Sequence, residues 1–176
     1  MKQNGVTGNF LILMENYLSN REQRVALNGM FSEWGKINSG VPQGSVLGPL
    51  LFLVYINDLE EGIKSQIKFF AGDTSLFSVV RNPEISTEEL NHDLGLINNW
   101  AFQWKMSFNP DAIKPAEEVV LSNKRERCFH PPLFLNNIEV KRVNEHKHLG
   151  LTLNSKLNFG SHIKEKIAKA MTGVGV

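Results

Sequence analysis

The chain has 176 residues, the length of one ordinary domain or of a piece of a larger protein. Its hydrophobic content of 41% and charged content of 21% exclude a disordered chain, and its single cysteine, Cys128, excludes a disulfide framework and suits an intracellular protein. The net charge of +1 hides an asymmetry, because residues 1–122 hold 9 basic against 14 acidic residues, whereas residues 123–176 hold 10 against 4.

The N-terminal part of the chain predicts a helix, a hairpin and a loop, in that order. An apolar face with helical spacing predicts a helix over residues 8–18. Val25 and Leu27 precede Asn28-Gly29, the favoured pair for a type I′ turn, and Phe31 and Trp34 follow it, so residues 21–37 predict a hairpin. A loop rich in glycine and serine follows over residues 38–45.

The longest apolar run, residues 46–56, predicts a buried helix rather than a membrane span, because a span needs about 20 residues. Pro49 is tolerated only in the first turn of a helix, so this helix should begin near Gly48 and end near residue 61. Residues 1–15 lack the charged start and the cleavage site of a signal peptide. We therefore expect no membrane association.

Residues 66–79 predict a β-hairpin whose tip carries a charge. Apolar residues alternate with polar ones on both sides of the tip, which Gly72 and Asp73 form. Gly-Asp is an ordinary two-residue turn in which glycine supplies the positive φ angle, and most such turns are structural. The tip alone therefore does not separate a structural role from a functional one.

The rest of the chain predicts a long helix, several short strands and a final helix. Ser86 and Glu89 form a capping box that should start a helix ending near Met106. The expected core face of this helix is Leu90, Leu94, Ile97, Trp100, Ala101 and Trp104. The later predictions are strands over residues 118–121 and 148–153, a hairpin over 133–140 turning at Asn136-Asn137, and a helix over 161–171. This mixture predicts an α+β fold, an antiparallel sheet with helices on one face.

The stretch SGVPQGSVLGPLLF, residues 39–52, strongly resembles a loop and helix motif of reverse transcriptases from jockey-like non-LTR retrotransposons. Further matches are INDL at 56–59, FAGDTSLF at 70–77, Trp100 through NPD at 109–111 to Lys114, EVVLS at 118–122 and HKHLG at 146–150. Several motifs in the right order are a far more specific signal than any one alone. The resemblance implies RNA-directed DNA synthesis with an RNA template, a DNA primer and Mg²⁺.

The resemblance also implies a fold, the right hand of fingers, palm and thumb found in these polymerases. Residues 1–45 would form the late fingers and neighbouring palm, and residues 46–122 the main palm with the catalytic turn. Residues 123–154 would form the trailing palm hairpins that grip the primer. Residues 155–176 would begin a truncated thumb. Oligomeric state and the choice between nucleus and cytoplasm stay open.

Individual residues acquire expected roles from the same resemblance. Asp73 matches a carboxylate that holds catalytic magnesium, and Gly72 replaces the family's first aspartate in that turn. Lys114 matches a lysine near the leaving pyrophosphate, where it would donate a proton. The residues expected to lie against template and incoming nucleotide are Gly40, Pro42, Gln43 and Gly44. The residues expected in the primer grip are His148, Leu149 and Gly150.

One catalytic carboxylate of the family, on an earlier palm strand, has no counterpart in these residues. The first aspartate of the chain is Asp58, already inside the helix motif, and Gly72 removes a second carboxylate. One remaining carboxylate cannot hold two divalent ions against their mutual repulsion. We therefore expect an inactive reverse transcriptase fragment. The alternatives are a nucleic-acid-binding module without chemistry and an inert product of a decayed element.

Overall fold

The computed structural model describes residues 5–106, 108, 115–124 and 129–173. Within these residues the helices are α1 (Gly8–Leu18), α2 (Leu47–Ile56), α3 (Pro83–Gln103) and α4 (Gly160–Gly173). Each corresponds to a helix predicted from the sequence, so the mixed helix-and-strand content is confirmed. α2 begins at Leu47 with Pro49 in its first turn, as the absence of a proline N–H requires.

The strands are short and pair in twos. The N-terminal hairpin contains β1 (Glu22–Gln23), β2 (Ala26–Leu27), β3 (Met30–Phe31) and β4 (Gly35–Lys36). The central hairpin contains β5 (Gln66–Phe70) and β6 (Asp73–Phe77). The C-terminal strands are β7 (Glu117–Glu118), β8 (Phe134–Leu135), β9 (Ile138–Glu139), β10 (Lys141–Arg142), β11 (Glu145–His148) and β12 (Leu151–Asn154).

The expected continuous antiparallel sheet is replaced, in the residues described, by six two-stranded ladders. Five ladders are antiparallel, and the sixth pairs β7 with β10 in parallel. A hairpin pattern fixes only the pairing of strands that are adjacent in sequence. Joining hairpins into a sheet needs edge-to-edge pairing of distant segments, for which a local pattern carries no information.

Several predicted boundaries are wrong. α2 ends at Ile56 rather than near residue 61, and β7 covers only Glu117–Glu118 where a strand over 118–121 was predicted. Two further differences follow from local signals that were overlooked. α3 does not begin at the Ser86 capping box but at Pro83, where the Asn82 side chain accepts a hydrogen bond from the Ile85 N–H at 3.0 Å. Proline at the first helical position and asparagine before it are the stronger start signal. The predicted strand over residues 148–153 is instead interrupted by a turn at Leu149 and Gly150, with φ angles of 48° and 83°.

The chain divides into two compact units, Met1–Leu59 and Glu60–Val176. The buried apolar side chains of the first unit are Met14, Leu51, Ile56 and Leu59. Those of the second unit are Ile97, Ala101, Leu133 and Val140. Of the predicted core face of α3, Trp104 is 42% exposed and does not belong to the core. Among the described residues, no helix is both long and apolar enough to cross a bilayer.

The exposed apolar surface of the first unit predicts poor solubility of the isolated chain. On α2 and its start, Val46, Leu50 and Leu53 are 94%, 57% and 58% exposed, while Leu51 and Ile56 are buried on the other face. Exposed apolar patches beyond a few hundred Å² are aggregation liabilities. We expect size-exclusion chromatography to show aggregates, and calorimetry a broad transition. A monodisperse monomer with one sharp thermal transition would contradict this expectation.

Candidate active site

Asp73 lies at the tip of the central hairpin, where β6 begins. Five residue pairs join β5 and β6, and the last of them is Phe70 with Asp73. The turn is therefore Ala71-Gly72, not the predicted Gly72-Asp73. The positive φ angle, 51°, belongs to Ala71, and Gly72 lies outside the left-handed region. The prediction that glycine is needed here for its φ angle is wrong.

Gly72 has room for a side chain. A Cβ built at this position meets no atom within 4 Å, and the backbone angle does not demand glycine. Gly72 and Asp73 are both exposed. The fold of the turn therefore gives no reason for a glycine at position 72, and an aspartate at this position would extend into open space.

In the first unit, the glycines of the loop over residues 38–45 do adopt the conformation expected of them. Gly40 and Gly44 have φ angles of 81° and 77°, and a Cβ on either would meet no atom within 4 Å. Gln43 between them is exposed. The loop therefore presents unobstructed backbone and one amide side chain, groups suited to the edge of a base or a sugar.

Side-chain hydrogen bonds fix this loop at both ends. Ser45 Oγ donates to the Pro42 carbonyl at 2.8 Å and accepts from the Gly48 N–H at 2.9 Å, which ties the loop to the start of α2. At the other end, the Arg21 guanidinium donates to the carbonyls of Leu18 and Gly40. The backbone path between these anchors is thus held by polar contacts rather than by a buried core.

Gly48 is a requirement that the sequence analysis did not identify. A Cβ at this position would lie 2.9 Å from the Pro42 carbonyl oxygen, closer than real Cβ atoms approach. Since the close contact is with backbone, the loop would have to shift to accept any side chain. The only signal in the sequence was a glycine at the start of a helix, where alanine would otherwise be favoured.

The residues expected to grip a primer form the C-terminal hairpin. His148 ends β11, and Leu149 and Gly150 form the exposed turn before β12. The neighbouring Lys147 is engaged with Glu165 on α4, and His146 Nδ1 lies 2.8 Å from Glu117 Oε2. Lys147 and His146 thus anchor the middle of β11, and the turn is the part of the hairpin that is open to solvent.

Glu165 docks α4 onto this hairpin. It accepts hydrogen bonds from Lys147, from Lys169 at 2.9 Å and from Thr152 Oγ1 at 3.3 Å. The hydrogen bonds from Lys147 and Lys169 lower the pKa of Glu165 to about 2. His162 on the same helix accepts a hydrogen bond from the Thr152 N–H at 3.3 Å. These contacts set the orientation of α4. Lys114, the expected proton donor, lies outside the described residues.

Comparison with known proteins identifies the chain. The profile of the reverse transcriptase (RNA-dependent DNA polymerase) family matches residues 5–153. The chain belongs to the reverse transcriptase family. It is 30% identical over 162 residues to the RNA-directed DNA polymerase from mobile element jockey of Drosophila melanogaster. It is 28% identical to the probable RNA-directed DNA polymerase from transposon X-element of the same fly and 29% identical to the jockey polymerase of Drosophila funebris.

These matches cover 86–87% of this chain but only 17% of each relative, so the chain spans about a sixth of the reverse transcriptases that it resembles. The resemblance to jockey-like elements is confirmed, and the short coverage fits a fragment of such a polymerase. No solved structure matches the chain.

Among the described residues of this reverse transcriptase chain, the carboxylates do not form a two-metal site. In the described part, no three His, Cys, Asp or Glu side chains come together as metal ligands do. Asp73 stands at the hairpin tip next to Gly72, without a second carboxylate in the turn. Magnesium prefers several oxygen ligands in octahedral geometry, and two such ions need more than one carboxylate. The residues that the structure describes therefore do not fit the metal pair.

Asp93 anchors the start of the central hairpin and was missed by the sequence analysis. It is fully buried on α3, and its carboxylate accepts hydrogen bonds from the N–H groups of Lys64 at 3.1 Å and Ser65 at 2.8 Å. Burial acts to raise the pKa of Asp93, but hydrogen bonds from Ser65, Lys64 and His92 outweigh it and lower the pKa. Because β5 begins at Gln66, directly after Ser65, Asp93 holds the start of the hairpin against α3.

Proposed function

We propose that this chain is part of a jockey-like retrotransposon polymerase and carries the palm segment around the catalytic turn. In that assignment residues 1–45 are late fingers and palm, 46–122 palm, 123–154 the trailing palm hairpins and 155–176 the start of the thumb. The family match over residues 5–153 carries the proposal, and a tight hairpin with Asp73 at the start of β6 supports it. The longer polymerase would copy an RNA template from a DNA primer.

Within that polymerase, Asp73 is the residue of the turn that would hold a divalent ion, and Lys114 the proton donor to the leaving pyrophosphate. Gly40, Pro42, Gln43 and Gly44 would contact the template and the incoming nucleotide. Their open backbone, with no atom within 4 Å of either glycine's missing Cβ, supports this role. His148, Leu149 and Gly150 would hold the primer strand through the exposed turn of the C-terminal hairpin.

We further propose that the 176 residues do not polymerise DNA by themselves. Chain extension needs two metal ions that stabilise the attacking and leaving oxygens. Asp73 is the one carboxylate available at the turn, because position 72 is glycine and the first aspartate of the chain is Asp58. The chain keeps surfaces for nucleic acid but lacks the ligands for the reaction.

A binding experiment tests the assignment of the loop. The chain, carried on a soluble fusion partner, should bind an RNA–DNA hybrid with an affinity that falls as salt rises, because phosphate contacts release counterions. Gly40→Ala should weaken this binding about fivefold, the effect of losing a contact of about 1 kcal/mol.

Gly62→Ala is the matched control, since Gly62 has the same φ angle of 81° but lies outside the motif. Both substitutions place a Cβ at the same φ angle, and at Gly62 that Cβ would also lie 3.4 Å from Leu96 Cδ1, so a larger loss of affinity in Gly40→Ala reports on the loop. Fluorescence anisotropy of a labelled hybrid measures it. Equal affinities of the two variants would show that the loop does not belong to the binding surface. An absence of hybrid binding by the parent chain would overturn the proposed function.

A further inference from the structure

The N-terminal hairpin contains a bulge that its sequence did not predict. Gln23 pairs with Gly35, and Ala26 pairs with Phe31, so two residues on the first side face three on the second. Ser32 closes this region, since its N–H donates to the Val25 carbonyl and its Oγ accepts from the Val25 N–H, both at 2.9 Å. One extra residue on one strand is the definition of a β-bulge, which redirects the side chains that follow it.

The bulge brings two aromatic rings to one side of the hairpin. In a regular strand, residues three apart such as Phe31 and Trp34 point to opposite faces. Here both rings contact Arg24, whose guanidinium carbon lies 4.0 Å from the Phe31 ring centre and 4.6 Å from the Trp34 ring centre. The rings are 59% and 58% exposed. We call Arg24, Phe31 and Trp34 the stacking cluster.

The Arg24 charge of the stacking cluster has no carboxylate partner in an ion pair among the residues that the structure describes. A guanidinium held close to aromatic rings loses little further freedom when it binds a phosphate. A cation and two exposed rings on one face are the chemistry that recognises unpaired nucleotides, because bases stack on the rings and the phosphate pairs with the guanidinium.

The two faces of the N-terminal hairpin differ in the chemistry of their exposed side chains. Leu27 and Met30 pair directly across the ladder and point away from the stacking cluster, where they are 66% and 71% exposed. These two side chains carry no charge and suit a protein partner. The stacking cluster instead combines rings with a free positive charge, which favours a polynucleotide on this side.

We infer that Arg24, Phe31 and Trp34 form a stacking site for single-stranded nucleic acid. The hairpin is tied to the proposed nucleotide loop, because Arg21 donates to the Gly40 carbonyl. A strand stacked on the cluster would therefore lie on the same anchored segment as that loop. The inference deepens the proposed function by adding an unpaired-strand site to the proposed hybrid-binding surface.

The test measures the affinity of the full chain, on its soluble fusion partner, for labelled oligouridylate and oligothymidylate. Trp34→Ala and Phe31→Ala should each weaken binding about 5- to 150-fold, since a base–aromatic stack contributes about 1–3 kcal/mol. Trp34→Phe should keep most of the affinity, because it keeps a ring. Arg24→Gln should lower the salt slope by about 0.7, the value for one phosphate contact on a single strand.

Two controls separate stacking from general damage. Leu27→Ala removes a similarly exposed side chain from the opposite face of the same hairpin, and Phe102→Ala removes an 87% exposed ring from α3. Both should bind single strands as the parent does. Equal affinity for oligouridylate in Trp34→Ala and Leu27→Ala, or no binding by the parent, would overturn the inference.

The outcomes also distinguish this inference from the proposed function. A parent chain that binds the RNA–DNA hybrid but not the single strands would overturn the stacking site alone. A chain that binds single strands through Trp34 but ignores the hybrid would overturn the proposed function alone. If Trp34→Ala weakened only the association with a separately expressed upstream polymerase segment, the cluster would be a protein contact and the inference wrong.

Discussion

A chimera that joins this chain to an upstream segment and a complete thumb from a jockey-like polymerase should extend a DNA primer on an RNA template once it carries Gly72→Asp. With Gly72 retained, we expect extension slower by about three powers of ten, because a lost metal ligand forfeits several kcal/mol and each 1.36 kcal/mol is tenfold in rate. The turn should accept the aspartate without strain, since a Cβ at position 72 meets no atom within 4 Å.

The main comparison uses four proteins, namely the chain and the chimera, each with Gly72 or with Gly72→Asp. Primer extension with all four nucleotides and magnesium is the measurement. Gly72→Asn in the chimera is the matched control, because it adds the same volume without the charge and should stay slow. Comparable rates for the two chimeras would show that Asp73 suffices in this turn. Extension by the unmodified chain would overturn the proposed inactivity.

The second large effect concerns Asp93. Asp93→Ala should destabilise the second unit by about 1–3 kcal/mol, because it removes the shared acceptor of the partly buried N–H groups of Lys64 and Ser65, and water replaces part of the lost contact. The loss should appear first as faster hydrogen exchange in β5, which begins directly after Ser65. Glu88→Ala, an exposed acid on the same helix, should leave exchange unchanged.

The lowered pKa of Asp93 also fixes the sign of a pH effect. Because the folded protein holds this carboxylate ionised more strongly than the unfolded chain does, its contribution is complete above the unfolded pKa of about 3.9. Stability should fall as the pH drops from that value through the folded pKa. Asp93→Asn should remove this part of the acid dependence while keeping one acceptor oxygen. Identical acid unfolding of parent and Asp93→Asn would assign the effect to other carboxylates.

The sequence by itself determined the elements that depend on neighbours in the chain. Helical spacing predicted α1 over its observed residues, and the φ preferences of Asn28-Gly29 and Asn136-Asn137 fixed two turns, observed with positive φ at all four residues. The family assignment was also determined by the sequence, because it depends on residue identities in ordered motifs and not on the structure. These inferences hold since each rests on contacts within a few residues.

Tertiary structure decided whatever depends on segments far apart. The sequence pattern gave no sign that Asp93 would be buried under residues 64 and 65, because its partners are backbone N–H groups nearly 30 positions away. The parallel pairing of β7 with β10 is likewise a contact between distant segments. The bulge that brings two rings to Arg24 depends on the register of the N-terminal hairpin. Register is set by pairing across the ladder, and one shifted residue turns a side chain to the other face. The local periodicity of the sequence does not reveal such a shift in register.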